Sequence, residues 1–160
     1  MILKLWSNLQ LKVYLSKEEK RTGICSQEYA NPEKHCVLWD FDNAELSVIT
    51  KQLIVLQDRY KLPNIYIFES SLGNYHAYCF ASRTFREAIC ILADTPNIDM
   101  RYLQLGMVRG YFTLRISPRN GKEIKYIATL LSIHSEEISR LDLTINDYFT
   151  SNKGGNHDKG

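Results

Sequence analysis

Between residues 36 and 116 the apolar residues change period several times, and the order of those changes most constrains the fold. Cys36-Val37-Leu38-Trp39-Asp40-Phe41-Asp42 has the apolar and aromatic content of a strand. Leu46, Ile49, Leu53, Leu56 and Tyr60 then recur at spacings of three and four, predicting a helix capped by Asn43 and stopped before Pro63. Residues 64–69 and 75–80 read as two strands joined by the turn Ser70-Ser71-Leu72-Gly73-Asn74. Phe85, Ala88, Ile89 and Leu92 form the stripe of a second helix, capped by Ser82 or Thr84 and closed by Thr95-Pro96-Asn97. A short segment over residues 99–108 precedes a strand at 111–116, and Pro118-Arg119-Asn120-Gly121 turns the chain toward an antiparallel partner at 123–131. Strand, helix, strand, strand, helix, strand is the order of a split βαβ sheet, α+β in class, with two helices on one face and the other face open.

The flanks carry less pattern. Leu9, Leu11, Val13 and Leu15 alternate as in a strand, whereas residues 17–34 are charged and polar and read as a loop or irregular segment. Residues 1–150 are therefore expected to form one domain, with 1–35 as an N-terminal extension and 151–160 as a disordered tail poor in apolar residues. No stretch approaches the roughly 20 apolar residues that cross a bilayer, and the N-terminus lacks the pattern of a signal peptide. A cytoplasmic protein is the expectation. Cys25, Cys36, Cys79 and Cys90 are widely spaced with no C-x-x-C pair, which predicts reduced thiols rather than a zinc site or a disulfide framework. A net charge of only +2 excludes a polycationic nucleic-acid coat, yet Arg101, Arg109, Arg115 and Arg119 concentrate in one window and could form a local basic patch.

Three groups of residues could carry chemistry. Side chains alternate across a strand, so Asp40 and Asp42 share a face, roughly 7 Å apart at Cα, within reach of one divalent metal or a metal pair. Like charges side by side on a sheet repel, so packing gives no reason for the pair. A solvated strand end is the alternative. In the hairpin, Gly73 and Asn74 tolerate positive φ and could present N–H groups to an anion, while His76 shares a face with Tyr78. An ordinary turn and a packed histidine are the alternatives there. In the last strand Arg115 would project with Tyr111 and Thr113 from the polar face, suited either to phosphate or to a surface ion pair.

Taken in order, these blocks resemble the catalytic core of the archaeo-eukaryotic primase superfamily, which includes PrimPol-like primase-polymerases. Val37-Leu38-Trp39-Asp40-Phe41-Asp42 is similar to the family's Asp-x-Asp strand, and Ser70-Ser71-Leu72-Gly73-Asn74-Tyr75-His76 to its turn and histidine. Ile98-Asp99 and Thr113-Leu114-Arg115-Ile116-Ser117 resemble its third aspartate and basic strand. Leu72 and Asn74 stand where the family usually has small residues. The resemblance, spanning roughly residues 36–119, implies an RRM-like sheet and a metal-dependent nucleotidyltransferase, a DNA primase or primase-polymerase of replication or repair. It implies that Asp40, Asp42 and Asp99 bind two Mg²⁺ or Mn²⁺ ions, and that Ser71, Gly73, His76 and Arg115 hold the triphosphate. Its implied partners are nucleoside triphosphates, a single-stranded DNA template and a helicase or other replication subunit.

Other classes fit less well. A non-catalytic nucleotide-binding or replication-accessory module shares every motif. Rolling-circle initiators and related nucleases use two histidines flanking one apolar residue, and His76-Ala77-Tyr78 offers one. Asp-x-Asp phosphatases expect Thr or Val where Ala44 stands, in a larger domain. On a plain RNA-recognition face two carboxylates would repel the phosphate backbone.

Overall fold

The computed structural model describes residues 2–5, 9–12, 18–118 and 121–151. Strands β1 (Ile2–Leu5) and β2 (Leu9–Lys12) pair with each other as an antiparallel hairpin. The chain continues through β3 (Glu18–Glu28), β4 (Lys34–Phe41), α1 (Leu46–Arg59), β5 (Ile65–Ser71), β6 (Asn74–Thr84), α2 (Phe85–Ala93), α3 (Met100–Arg109), β7 (Thr113–Arg115), β8 (Lys125–Leu130), a 3₁₀ turn (Arg140–Asp142) and β9 (Leu143–Ser151). The fold is α+β around a seven-stranded antiparallel sheet of order β7-β3-β4-β6-β5-β8, with β9 pairing β3. Both β4 and β5 run antiparallel to the β6 strand between them, so they are parallel to each other and α1 is their crossover. Among the described residues no helix is long and apolar enough to cross a membrane.

Alternation along β4 divides the core. Val37, Trp39 and Phe41 point toward the helices, where Ile49, Leu53 and Leu56 of α1 and Ile91 and Leu92 of α2 bury against them. Full burial of such side chains stabilises by about 1.5–3 kcal/mol each. Trp39 is completely buried because its indole N–H reaches Thr95 Oγ1 at 3.0 Å. The three-and-four spacing of α1 is as expected, but its cap is not. Asn43 turns the chain at φ +50, and Glu45 stands at the N-cap with its carboxylate accepting from the Ser47 hydroxyl and not from a helix N–H. The helix stops ahead of Pro63 through Tyr60 and the positive-φ Lys61. Thr84 caps α2 in a capping box: its hydroxyl accepts from the Glu87 N–H, and the Glu87 carboxylate accepts from the Thr84 N–H at 2.8 Å.

Residues 99–108, read as a short segment, contain a third helix. Asp99 is the N-cap of α3, its Oδ1 accepting from the Arg101 N–H at 2.8 Å, and Gly110 closes the helix at φ +82. Gly106 lets this helix touch Phe112, since a Cβ there would lie 2.0 Å from the ring.

The opposite face of the sheet is partly roofed rather than open. Cys36, Leu38, Tyr78 and Phe80 pack with Leu114 of β7 and with Ile138, beside Ile24 and Leu143. The roof depends on β3, which falls within the stretch expected to be a loop. Its buried alternate positions are Arg21, Gly23 and Cys25, a set with little hydrophobic signature. It is a strand because β9, β7 and β4 all pair with it along its length. A second correction concerns the 123–131 strand. β8 pairs with β5, from Ile65↔Leu130 to Glu69↔Lys125, and not with β7. Gln57 secures this arrangement by donating to the carbonyls of Pro63 and Leu130. All four cysteines are free thiols, three of them buried, with Cys90 exposed. Of the expected 151–160 tail, Ser151 instead ends β9, while residues 152–160, like Arg119 and the Val13 and Leu15 positions of the first expected strand, lie outside the described residues.

Candidate functional site

The acidic end of β4 lies where the expected motifs meet. Register sets Asp40 opposite His76 on β6, and His76 opposite Phe68 on β5, so all three share the face turned away from the helices. Asp42 follows in the bend beyond Phe41 and is exposed. Two bonds fix this bend against the β5–β6 turn: the Asn43 N–H donates to Asn74 Oδ1 at 2.9 Å, and the Ala44 N–H to the Gly73 carbonyl at 3.0 Å. Asp99 arrives from the start of α3, its N–H donating to the Asp40 carbonyl at 2.9 Å. The structure thus brings Asp40, Asp42, Asp99 and His76 to one end of the sheet.

The electrostatics at this end are unusual for a strand terminus. Burial pushes the Asp40 carboxyl up to about 7, helped by the like charges of Asp42 and Asp99 and opposed by Arg115. Burial also drives the His76 imidazole down to about 3, with the Arg115 cation adding to the effect. His76 Nε2 lies 3.6 Å from Asp40 Oδ1. With the ring neutral and the distance beyond a hydrogen bond, this contact is not an ion pair. His76 Nδ1 is 3.3 Å from the Tyr78 hydroxyl, which donates to the Arg115 carbonyl at 3.4 Å. If Tyr78 gives its one proton to the Arg115 carbonyl, Nδ1 is the donor to Tyr78 and Nε2 faces Asp40 with its lone pair.

Arg115 also closes on the site. Its guanidinium donates to the carbonyls of Ser117 and, at 3.1 Å, Ser70, tying β7 to the end of β5. Arg101 and Arg109 are exposed on α3. The turn residues have structural tasks: Ser71 Oγ accepts from Asn74 Nδ2 at 2.7 Å, and Gly73 takes φ +74. The expected metal set is incomplete as arranged. Among the described residues no three His, Cys, Asp or Glu side chains converge on one metal position, and one Asp99 oxygen is engaged as a helix cap. The donor chemistry of Asp40 and Asp42, hard carboxylate oxygens crowded by like charge, nonetheless suits Mg²⁺ or Mn²⁺. At the opposite end of β4, His35 and Cys36 are structural, with His35 Nδ1 bonded to Ser26 Oγ at 2.9 Å and the Cys36 thiol donating to the Cys25 carbonyl.

Three residues of the site carried no usable signal in the sequence. Tyr78 was visible only as a neighbour of His76, yet it connects the imidazole to β7. Arg21 is almost wholly buried and donates to the Pro118 carbonyl at 3.4 Å. Tyr148 on β9 is raised by burial and feels the opposing cations of Arg115 and Arg21 together with Asp40. Arg21 and Tyr148 come from strands whose pairing is non-local, so no spacing rule links them to Asp40. Comparison of the chain with protein-family models, with curated proteins and with solved structures finds no match.

Proposed function

We propose that this chain is a metal-dependent nucleotidyltransferase of the primase-polymerase kind, built on an RRM-like sheet and acting on a single-stranded DNA template. One observation carries the reading: a carboxyl pushed up to about 7 by burial and two neighbouring aspartates, beside a buried neutral histidine and an arginine. Crowded carboxylates of this kind favour a divalent cation, and a cluster of displaced titrations at the end of a sheet is typical of a reactive site. Asp40 and Asp42 would hold Mg²⁺ or Mn²⁺, with the free oxygen of Asp99 as a third donor. Bound there, the metal would neutralise charge developing on the α-phosphate. The chain's own residues supply the rest. Arg115, braced by two carbonyls, offers fixed positive charge to the leaving phosphates, and His76 is oriented by Tyr78.

A second reading has its own support. The capping role of Asp99 and the lack of a three-donor group among the described residues favour a nucleotide-binding accessory module without catalysis. Incorporation of labelled nucleotides on primed and unprimed single-stranded DNA, with Mn²⁺ or Mg²⁺, separates the two. The enzyme reading expects EDTA to abolish incorporation and Asp40→Asn or Asp42→Asn to lower it at least 100-fold. An equally active double variant would sink the metal assignment, and inactivity of the wild type that still binds nucleotide would select the accessory reading.

A further inference from the structure

Next to the acid–histidine site the same sheet face holds a cavity of about 400 Å³, lined by the aromatic rings of Tyr66, Phe68, Tyr78 and Phe80, with Ile116 and Ile124 among its other walls. A volume in this range accommodates a small molecule. Register explains the density of rings. Phe68 lies opposite His76, and Tyr66 opposite Tyr78 one step along, so aromatic positions continue directly from the polar ones. The rings brace each other: Phe68 meets Tyr78 edge-on at 5.3 Å between centroids, and Tyr66 meets Phe80 at 5.7 Å.

The cavity and the polar site share a wall. Tyr78 lines the cavity with its ring and touches His76 with its hydroxyl, while Ile116 directly follows Arg115. A ligand occupying both regions is therefore flat and apolar at one end and anionic at the other, where the guanidinium and a carboxylate-bound cation would meet it. We propose that the cavity receives the base of the nucleotide whose phosphates lie at Arg115 and His76. This rests on the nucleotide reading above and adds what holds the base. Recognition would be by stacking and not by hydrogen-bond pattern. The Tyr66 hydroxyl is already bonded to Glu136, and the Tyr78 hydroxyl to the Arg115 carbonyl. Base-on-aromatic stacking contributes about 1–3 kcal/mol and tolerates every base, so adenine and guanine should bind nearly alike and pyrimidines more weakly.

The test is equilibrium titration of the full chain, in Mg²⁺, with ATP, GTP, CTP and inorganic tripolyphosphate. Wild type should bind ATP at least tenfold more tightly than tripolyphosphate, with GTP within about threefold of ATP and CTP weaker. Ile116→Trp fills the cavity from a position 37% exposed, where folding should be unaffected. It should lower ATP affinity about tenfold and leave tripolyphosphate binding unchanged, and Phe68→Leu should act in the same direction. The proposal is overturned if wild type binds tripolyphosphate as tightly as ATP. It is equally overturned if folded Ile116→Trp keeps full ATP affinity, or if a fluorescent fatty acid fills the cavity and ATP does not displace it. The two readings fail separately. Base-dependent binding without incorporation would remove the catalytic assignment and keep the cavity's role, whereas incorporation with an unchanged nucleotide KM in Ile116→Trp would do the reverse.

Discussion

Asp40 and His76 sit against each other with titrations displaced in opposite senses, and the consequence is measurable in the folding equilibrium. Asp40 has a native value of about 7 against 3.8 when unfolded, so between those values the native state holds the extra proton. Stability from this group is present below pH 3.8 and is lost as pH rises through 7. His76 has a native value of about 3 against 6.5, so the unfolded state binds the extra proton and stability rises with pH between those values. The windows overlap and the slopes oppose, each limited to about 1.4 kcal/mol per pH unit. Relative to wild type, Asp40→Asn should gain stability with rising pH from about 4 to 7, and His76→Gln should lose it from about 3 to 6.5. Urea midpoints across that range are the measurement, and parallel curves for all three proteins would refute the displaced titrations. The adjacency of Asp40 and His76 was legible because strand alternation and hairpin register are local rules. The depth of His76 was not, since burial depends on β7 and its partners lying over it.

At the scale of single elements, α1 and α3 show why one helix could be read and the other not. α1 repeats Leu and Ile at helical spacing, and Ile49, Leu53 and Leu56 are all buried. α3 buries only Leu103 and Gly106 fully, so its stripe contains a residue without a side chain. Its end signals, Asp99 and Gly110, are those of a helix, but there is too little periodic content between them for the pattern to stand out. Glycine within a helix ordinarily costs about 1 kcal/mol relative to alanine. At residue 106 the sign should reverse, because the added Cβ would overlap two atoms of the Phe112 ring at 2.0 and 2.1 Å. Gly106→Ala is expected to destabilise by about 1–3 kcal/mol, the usual range for overpacking a core. Thermal unfolding decides it, and a variant as stable as wild type would show that Phe112 has room to shift.

For the molecule as a whole, the sheet is completed by pairings between distant stretches. β3 near the start joins β9 near the end, and β8 crosses from β7 to the far side of β5. The β4–α1–β5–β6–α2 succession follows from local periodicity, whereas these closures depend on which edges remain available once that unit has formed. The polar sequence of β3 could not announce a strand that, apart from one bridge to β4, pairs with β7 and β9 far ahead in the chain. The dependence on β3 can be tested against the hairpin before it. Deleting residues 1–17 removes β1 and β2, which among the described residues pair only with each other, and should shift Tm by no more than a few degrees. Gly23→Ala should cost more than that deletion, since its Cβ would lie 2.7 Å from Thr113 Cγ2 and 2.9 Å from the Leu114 carbonyl. A larger loss from the deletion would show that the N-terminal hairpin supports the sheet.

The two bonds from Asn43 and Ala44 to Asn74 and Gly73 join the bend after β4 to the β5–β6 turn. Surface loops at a binding site usually lose conformational freedom when a ligand orders them, and that loss subtracts from affinity. Here the loss is already taken during folding, because the bend bearing Asp42 and the turn leading to His76 form one stiff rim. A ligand that bound at this rim would meet groups whose spacing is already set, so little of its binding free energy would offset their ordering.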